Sequence, residues 1–550
     1  MVVIRRTLLT HRTLKSLLLG AALLCALGCG RSRPIDASTD APTDVVLSAK
    51  DVGSTKDAGS PSDALASVDA DAGETSTSVL STLALQSFIY AQPAPDAAKI
   101  GYLRVGATLV RSVERASGVG CVGGWYAVEP RGFVCVGREG VTLDMQEQAV
   151  AIAQSGPPKR NEPLPYTYGT SWGAPFYVRL PTHEDIRNVE GNVSAKTESL
   201  ARLRRKLSER KRWPEPPLPN IGPPPVLANG GMIENLAGLK LGTHALVGAR
   251  SWPGMRVSFL SSFAHEERAY FITTEHMIVP VDRMRVAKLA EFHGIELAEA
   301  GKEGAHLPIV WPAWKPARLW QLSGTGKHGG AHITEHELVV QEASEVAENE
   351  IVLGNEKYYE LLHPPADAED GARYLVRAKQ VSRAVRATSL PQGVVDGDEW
   401  IDVSIQRQVL TYYRGMEPVF TTLVSTGVDG AQNSETTKST VRGLFRIKMK
   451  HISARMKAEE QPAAEGSEKA DPRYRIDDVP YVQFFERSYA LHGAFWHDAF
   501  GQPKSHGCIN LSPRDALYLF EHTSPRMPAM WHGVSATNEE QGTFVYIHAD

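Results

Sequence analysis

The sequence predicts a mainly β chain (α+β) made of several small modules, and three observations carry that prediction. Short runs of β-branched and aromatic residues recur between Gly, Pro and Asp turns over most of residues 79–550. Helical periodicity surfaces in few places, around 182–213, near 286–296 and after Ser512. With 550 residues and 42% apolar content, the chain exceeds what one hydrophobic core organises, so about two to four domains plus linkers are expected.

Charge narrows the partners. Fifty-nine Lys and Arg face 63 Asp and Glu, a formal charge of -4 at pH 7, so no global field attracts polyanions. No arginine-rich or RNA-module pattern accompanies it, and nucleic acid is excluded as the expected partner.

Residues 1–29 set the compartment. Arg5, Arg6, Arg12 and Lys15 precede an apolar run from Leu17 to Leu27, too short to span a bilayer as a helix, which reads as a secretory signal. The run ends in Ala26-Leu27-Gly28-Cys29, which resembles the bacterial lipoprotein cleavage box with Ala where Leu is commonest. That resemblance implies lipidation at Cys29 and anchoring to a membrane of the cell envelope; ordinary signal cleavage nearby is the alternative. Either way the expected location is outside the cytoplasm.

Five cysteines then receive separate tasks. Cys25 leaves with the signal, Cys29 carries lipid, and Cys121 and Cys135 are close enough in sequence to pair across neighbouring strands. Cys508 is left over, and an odd thiol in an exported protein points to reactivity.

Residues 30–78 are Ala, Ser, Asp, Thr and Gly with hardly a large apolar side chain, so they bury too little to offset chain entropy and are expected to be a flexible tether. Residues 79–145 change character, with Ser87-Phe88-Ile89-Tyr90, Tyr102-Leu103-Arg104-Val105 and Gly132-Phe133-Val134-Cys135 reading as short strands of a small barrel. Gly101 to Gly106 and Gly123-Gly124-Trp125-Tyr126 resemble a bacterial SH3-like domain, whose relatives bind wall peptides; Trp125 serves either that role or core packing.

Residues 146–225 form a helical and Pro-rich linker region. Leu200, Leu203 and Leu207 make one helical stripe among seven basic residues between Arg202 and Arg212, and Pro214 ends the pattern. The basic face is either a solvated surface or a foot on anionic polymer or headgroups. Residues 226–395 read as one or two further β-rich or α+β modules of unassigned role, with a helical stretch near Val286 to Glu296. His328, His332 and His336 recur every fourth residue, but Gly329, Gly330 and Thr334 argue against the helix that would gather them, and no metal is assigned.

Chemistry concentrates in residues 398–550. Trp400 to Ile405 and Gln408 to Tyr413 alternate as strands of a hairpin, Val419 to Thr426 continues the pattern, and Gly443 enters another strand. Met456 to Asp471 is polar and reads as a loop or lid. Leu491-His492-Gly493-Ala494-Phe495-Trp496-His497 is followed by Ser505-His506-Gly507-Cys508-Ile509-Asn510, sixteen positions separating His492 from Cys508. The gap is rich in Gly and Pro, so His492 is expected to end one strand and Cys508 to begin the next element. Ser512-Pro513-Arg514-Asp515 has the cap, the proline at the first position and the acid at the third that announce a helix.

A thiol beside an imidazole and near a helix start suits nucleophilic catalysis, since both neighbours favour thiolate. His492 would take the proton, and the N–H groups of Gly507 and Cys508 would hold an oxyanion. A zinc site from His492, His497, His506 and Cys508 is possible by residue type, but this chemistry needs none.

The His-Gly pair followed by Ser-His-Gly-Cys-Ile-Asn resembles the signature of the L,D-transpeptidase (YkuD-type) family, over about residues 398–549. Val441 stands where that family commonly has proline, which puts the rigidity of one entry turn in doubt. The resemblance implies a β-sandwich catalytic fold and a cysteine acyltransferase without cofactor. Cys508 is then the nucleophile, His492 the base and the Gly493 carbonyl its orienter, with Ser505, His506, Gly507 and Asn510 shaping the pocket. The implied donor is a peptidoglycan tetrapeptide stem, cut before its terminal D-alanine and passed to an amine. Water as acceptor would make the same residues an L,D-carboxypeptidase.

Overall fold

The computed structural model describes residues 78–191, 198, 202, 221–236, 238–239, 245–313, 315–324, 332–457 and 475–550. The signal and Cys29, all of the tether but Ser78, most of the basic segment, His328 and most of the polar stretch 456–471 lie outside the described residues. Among the described residues no helix is long and apolar enough to cross a membrane.

Strands dominate, as the alternating runs require. Glu399–Ser404 and Val409–Arg414 pair as the expected hairpin, from Glu399 opposite Arg414 to Ser404 opposite Val409. Glu417–Leu423 adds antiparallel to it, and Phe544–His548 adds parallel on the other side, followed by Gly443–Arg446. A second layer runs through Met449–Lys457, Arg475–Glu486, Tyr489–Gly493 and Ile509–Leu511. Ile401, Val403, Leu410, Tyr412, Ile452, Phe485, Leu491, Ile509 and Leu511 from both layers fill one core, which makes this region a β-sandwich. Burial of each such side chain contributes about 1.5–3 kcal/mol.

The helix Pro513–His522 closes that core with Ala516, Leu519 and Phe520. Its start follows the sequence signal: the Ser512 hydroxyl accepts from the Asp515 N–H at 3.2 Å, and Pro513 occupies the first turn. The Asp515 carboxylate turns inward and accepts from Thr422 Oγ1 at 2.6 Å and from the Gly294 N–H at 2.8 Å.

Gly294 marks a departure from expectation. The apolar spacing near 286–296 predicts a helix, but the segment follows the strand Met284–Val286 as extended chain, and Ile295–Glu296 pairs with Thr421 and Phe420 at the edge of the first sheet of the sandwich. A Cβ on Gly294 would lie 2.5 Å from the Thr421 carbonyl oxygen, so the docking needs glycine there. Edge pairing outweighs local periodicity. The helix predicted from 182 also differs. Thr182 and Asp185 form a reciprocal cap on His183–Glu190, but Gly191 at φ 71° stops the helix there, and only Glu198 and Arg202 beyond it are described as helical. His332 and His336 sit on the strand His332–Val340, where a spacing of four places them roughly 13 Å apart along the chain.

The N-terminal module is joined to the second layer of the sandwich through Gly101 opposite Val534 and Tyr102 opposite Gly533. Within it, Cys121 and Cys135 are bonded, with Cα atoms 5.7 Å apart. Trp125 is 1% exposed, edge-on to Tyr90, and donates to the Val119 carbonyl at 2.8 Å, so it packs in the module's core. The region preceding the sandwich contributes Pro253–His265, whose Arg256 pairs parallel with Ile476.

These three regions meet at Asp478. Its carboxylate accepts from Arg104 at 2.8 Å, Ser258 at 2.7 Å, Thr274 at 2.6 Å and Ser453 at 2.8 Å. Burial alone raises a carboxyl group, but Arg104 and the three hydroxyls outweigh it and hold Asp478 down at about 2.

Candidate active site

His492 lies on Tyr489–Gly493, and Cys508 immediately precedes Ile509–Leu511; the two strands run parallel, Leu491 opposite Ile509 and His492 opposite Asn510. Continuing that register sets Cys508 opposite Ala490. Side chains alternate, so Leu491 and Ile509 enter the sandwich core while Ala490 and Cys508 meet a second cluster with Tyr166, Tyr168 and Phe495. His492 and Cys508 therefore share the outer face as diagonal neighbours, with backbones roughly 7–8 Å apart. Sequence separation of sixteen has become adjacency.

Cys508 is the free cysteine among the described residues and is half-buried. Its Sγ approaches the Ser488 carbonyl at 3.5 Å. Burial pushes the thiol up to about 11, against a smaller opposing effect from the Ala490 backbone. His492 is 2% exposed. Burial draws it down to about 4, opposed by its Nδ1 contact with the Gly493 carbonyl at 3.2 Å and aided by His497. With Nδ1–H donating to that carbonyl, Nε2 carries the lone pair of a base. At neutral pH the pair rests as thiol and neutral imidazole.

This resting state differs from the thiolate that a nearby helix start predicts. Ile509–Leu511 intervenes before the helix begins at Pro513, and a run of five extended positions spans roughly 16 Å. A helix terminus acts over about its first turn, so its field does not reach the sulfur.

The turn before Cys508 is tightly specified. Ser505 Oγ donates to the Cys508 carbonyl and accepts from the Gly507 N–H at 3.0 Å. The Gly507 amide, expected to be aimed at an oxyanion, is engaged by Ser505 instead. Gly507 has φ 123°, and a Cβ there would stand 2.7 Å from the Tyr489 ring. Asn510 exchanges backbone hydrogen bonds with Ser425 at 2.9 Å, and its side-chain amide meets His497 Nε2 at 3.0 Å, so it steadies His497. His506 is exposed; burial lowers it, Lys438 adds to this and Asp429 opposes.

Further residues complete the surroundings: Tyr489, Tyr168 and Arg256 lie outside the motifs, whereas Trp496, which the sequence leaves open to substrate contact or packing, lies within one. Tyr489 donates to the Ser434 carbonyl at 3.1 Å and walls the Gly507 turn. The Trp496 ring is 5.8 Å from His492, Tyr168 stacks on Phe495 at 4.3 Å, and Arg256 lies over Trp496 at 5.2 Å. Tyr168 and Arg256 come from hundreds of positions upstream, and nothing local in the sequence marks them. Among the described residues no group of His, Cys, Asp and Glu is arranged to hold a metal ion.

Residues 398–547 match the family model of the L,D-transpeptidase catalytic domain, YkuD. Solved structures similar to the chain include an L,D-transpeptidase of Xylanimonas cellulosilytica, at 19% identity over 29% of this chain and 63% of that one, TM-score 0.18. The catalytic domain of an Enterococcus faecium L,D-transpeptidase is similar at 22% identity over 28% and 98%, TM-score 0.20. An L,D-transpeptidase of Mycobacterium smegmatis is similar at 14% identity over 47% and 100%, TM-score 0.21. The chain thus spans less than two thirds of the Xylanimonas structure. No curated protein matches. By this match, residues 398–547 are similar to an L,D-transpeptidase catalytic domain.

Proposed function

We propose that the protein is an exported peptidoglycan L,D-transpeptidase that uses Cys508 as nucleophile and His492 as general base. The observation that carries this reading is a free, half-buried thiol on the same sheet face as an oriented, neutral imidazole, inside the region that matches the family.

In the first step Sγ attacks the carbonyl between the diamino acid and the terminal D-alanine of a tetrapeptide stem. His492 Nε2 takes the thiol proton as the carbon–sulfur bond forms, because neither group is charged beforehand. The Cys508 N–H stabilises the oxyanion. The carbon–nitrogen bond then breaks, His492 returns the proton to the departing amine, and D-alanine leaves a thioester. An amine of a second stem attacks that thioester, its proton passes through His492 to Sγ, and a new amide is released with the free thiol. Lipid at Cys29 and the tether after it would hold the catalytic region within reach of the wall.

Purified tetrapeptide stems test this reading. Expected are cross-linked dimers and free D-alanine with the wild type and neither with Cys508→Ala. Tripeptide without dimers would replace transferase by L,D-carboxypeptidase, and dimers formed by Cys508→Ala would refute the nucleophile.

A further inference from the structure

Arg256 stands outside the region that matches the catalytic family, yet its side chain lies over Trp496 within that region. Its backbone is fixed on both sides of the strand Pro253–His265, by Thr170 antiparallel and Ile476 parallel. Its neighbours Met255 and Val257 are 2% and 1% exposed and pack together in the core of their own module. Strand alternation therefore turns Arg256 to the opposite face, where its guanidinium carbon lies 5.2 Å from the Trp496 ring centroid.

Trp496 links this cation to the chemistry. Its ring is 5.8 Å from His492, and it packs against the same cluster as Cys508. The neighbouring His497 feels the same positive charge: after burial, Lys504 lowers it most, Asp498 opposes, and Arg256 adds to the lowering. A fixed cation thus stands one indole ring away from the base.

Resting on the function proposed above, we propose that Arg256 is a specificity-determining residue that receives the terminal carboxylate of the acyl donor. That carboxylate belongs to the residue just past the attacked carbonyl, about one 3.8 Å Cα step away. A guanidinium carries its N–H donors in one plane, the geometry a carboxylate accepts in bidentate fashion, and it stays charged at any pH the wall experiences. The leaving D-alanine carries its carboxylate away with it, so the contact selects donors without obstructing the acceptor.

The test uses the full chain in a Cys508→Ala background, so that binding is measured without turnover. Calorimetry compares a tetrapeptide stem with the same peptide carrying a C-terminal amide. With Arg256 present, the free acid is expected to bind about tenfold or more tightly than the amide, the scale of one charge-assisted hydrogen bond. Arg256→Ala abolishes that ratio by weakening the acid, and Arg256→Lys keeps part of it. Thermal unfolding of each variant separates this from misfolding. An equal loss for acid and amide in Arg256→Ala, an unchanged ratio, or binding of neither peptide to the parent overturns the proposal. Failure of the catalytic reading is seen elsewhere: a wild type that binds the acid selectively but releases no D-alanine loses the proposed function and keeps this one.

Discussion

Asp478 lies on Arg475–Glu486 and His492, the neighbour of Cys508, on the adjacent strand Tyr489–Gly493, and these two polar sites are treated in opposite ways. Asp478 has one guanidinium and three hydroxyls, so a charge survives far from water. Cys508 and His492 are given carbonyl oxygens at 3.5 and 3.2 Å and apolar walls, so burial keeps both neutral. The joint between modules saturates its charge, whereas the thiol and imidazole have few polar partners, as the proposed proton exchange between them would require.

The largest expected effect falls on the under-satisfied site. Cys508→Ala and His492→Ala should each reduce D-alanine release from tetrapeptide stems by roughly 10³-fold or more, as when a nucleophile or its base is removed elsewhere. Urea unfolding of the same variants should show far smaller changes. A large loss of stability with retained turnover would erase the contrast.

Next comes the saturated joint. Asp478→Ala leaves Arg104 buried without its partner, and the expected cost is about 3–5 kcal/mol in chemical unfolding. A cost below about 1 kcal/mol would mean that the carboxylate does not organise the junction.

Acid probes burial elsewhere in the molecule. His276 and His451 are almost fully buried, and burial lowers each to about 4; Arg104 adds to the effect on His276. Their unfolded forms bind protons near 6.5, so the unfolded state is favoured as pH falls from 6.5 to 4, and stability is complete only above that window. Each histidine contributes up to roughly 3 kcal/mol of this loss. Asp478 behaves alike at lower pH: its stabilisation is present above about 4 and disappears as pH falls through 2. Unfolding free energy from pH 8 to 4 should therefore decline, and a flat profile would contradict the burial of these rings.

The smallest effect concerns the turn before the thiol. Gly507→Ala meets both φ 123° and the Tyr489 ring, with an expected cost of about 1–3 kcal/mol. Tyr489→Ala in the same chain should recover the steric part while the backbone part persists.

What could be read from the sequence follows the range of the interactions. The hairpin from Trp400, the Ser512 cap and the strand ahead of His492 rest on local patterns, and each appears where alternation or capping placed it. The pairing of Tyr489–Gly493 with Ile509–Leu511 was implied by a motif whose two halves need each other. Asp478, Tyr168 and Arg256 were not legible, because their roles exist only once segments more than 200 positions apart lie together. Extended chain near Gly294 was misread for the same reason, since the edge it joins is 127 residues later at Thr421. The neutral thiol at Cys508 departs from the sequence expectation because the strand Ile509–Leu511, which local pattern does not announce, separates it from the helix start.

The claim at the centre is that the Cys508 sulfur captures an acyl group while D-alanine departs. Intact-mass measurement of the full chain mixed with tetrapeptide stem, with no amine acceptor, tests it most directly. The account predicts a mass gain equal to the stem less D-alanine, mapped to Cys508 and discharged by added amine. Bound stem without a covalent adduct, or the same adduct on Cys508→Ala, would contradict it.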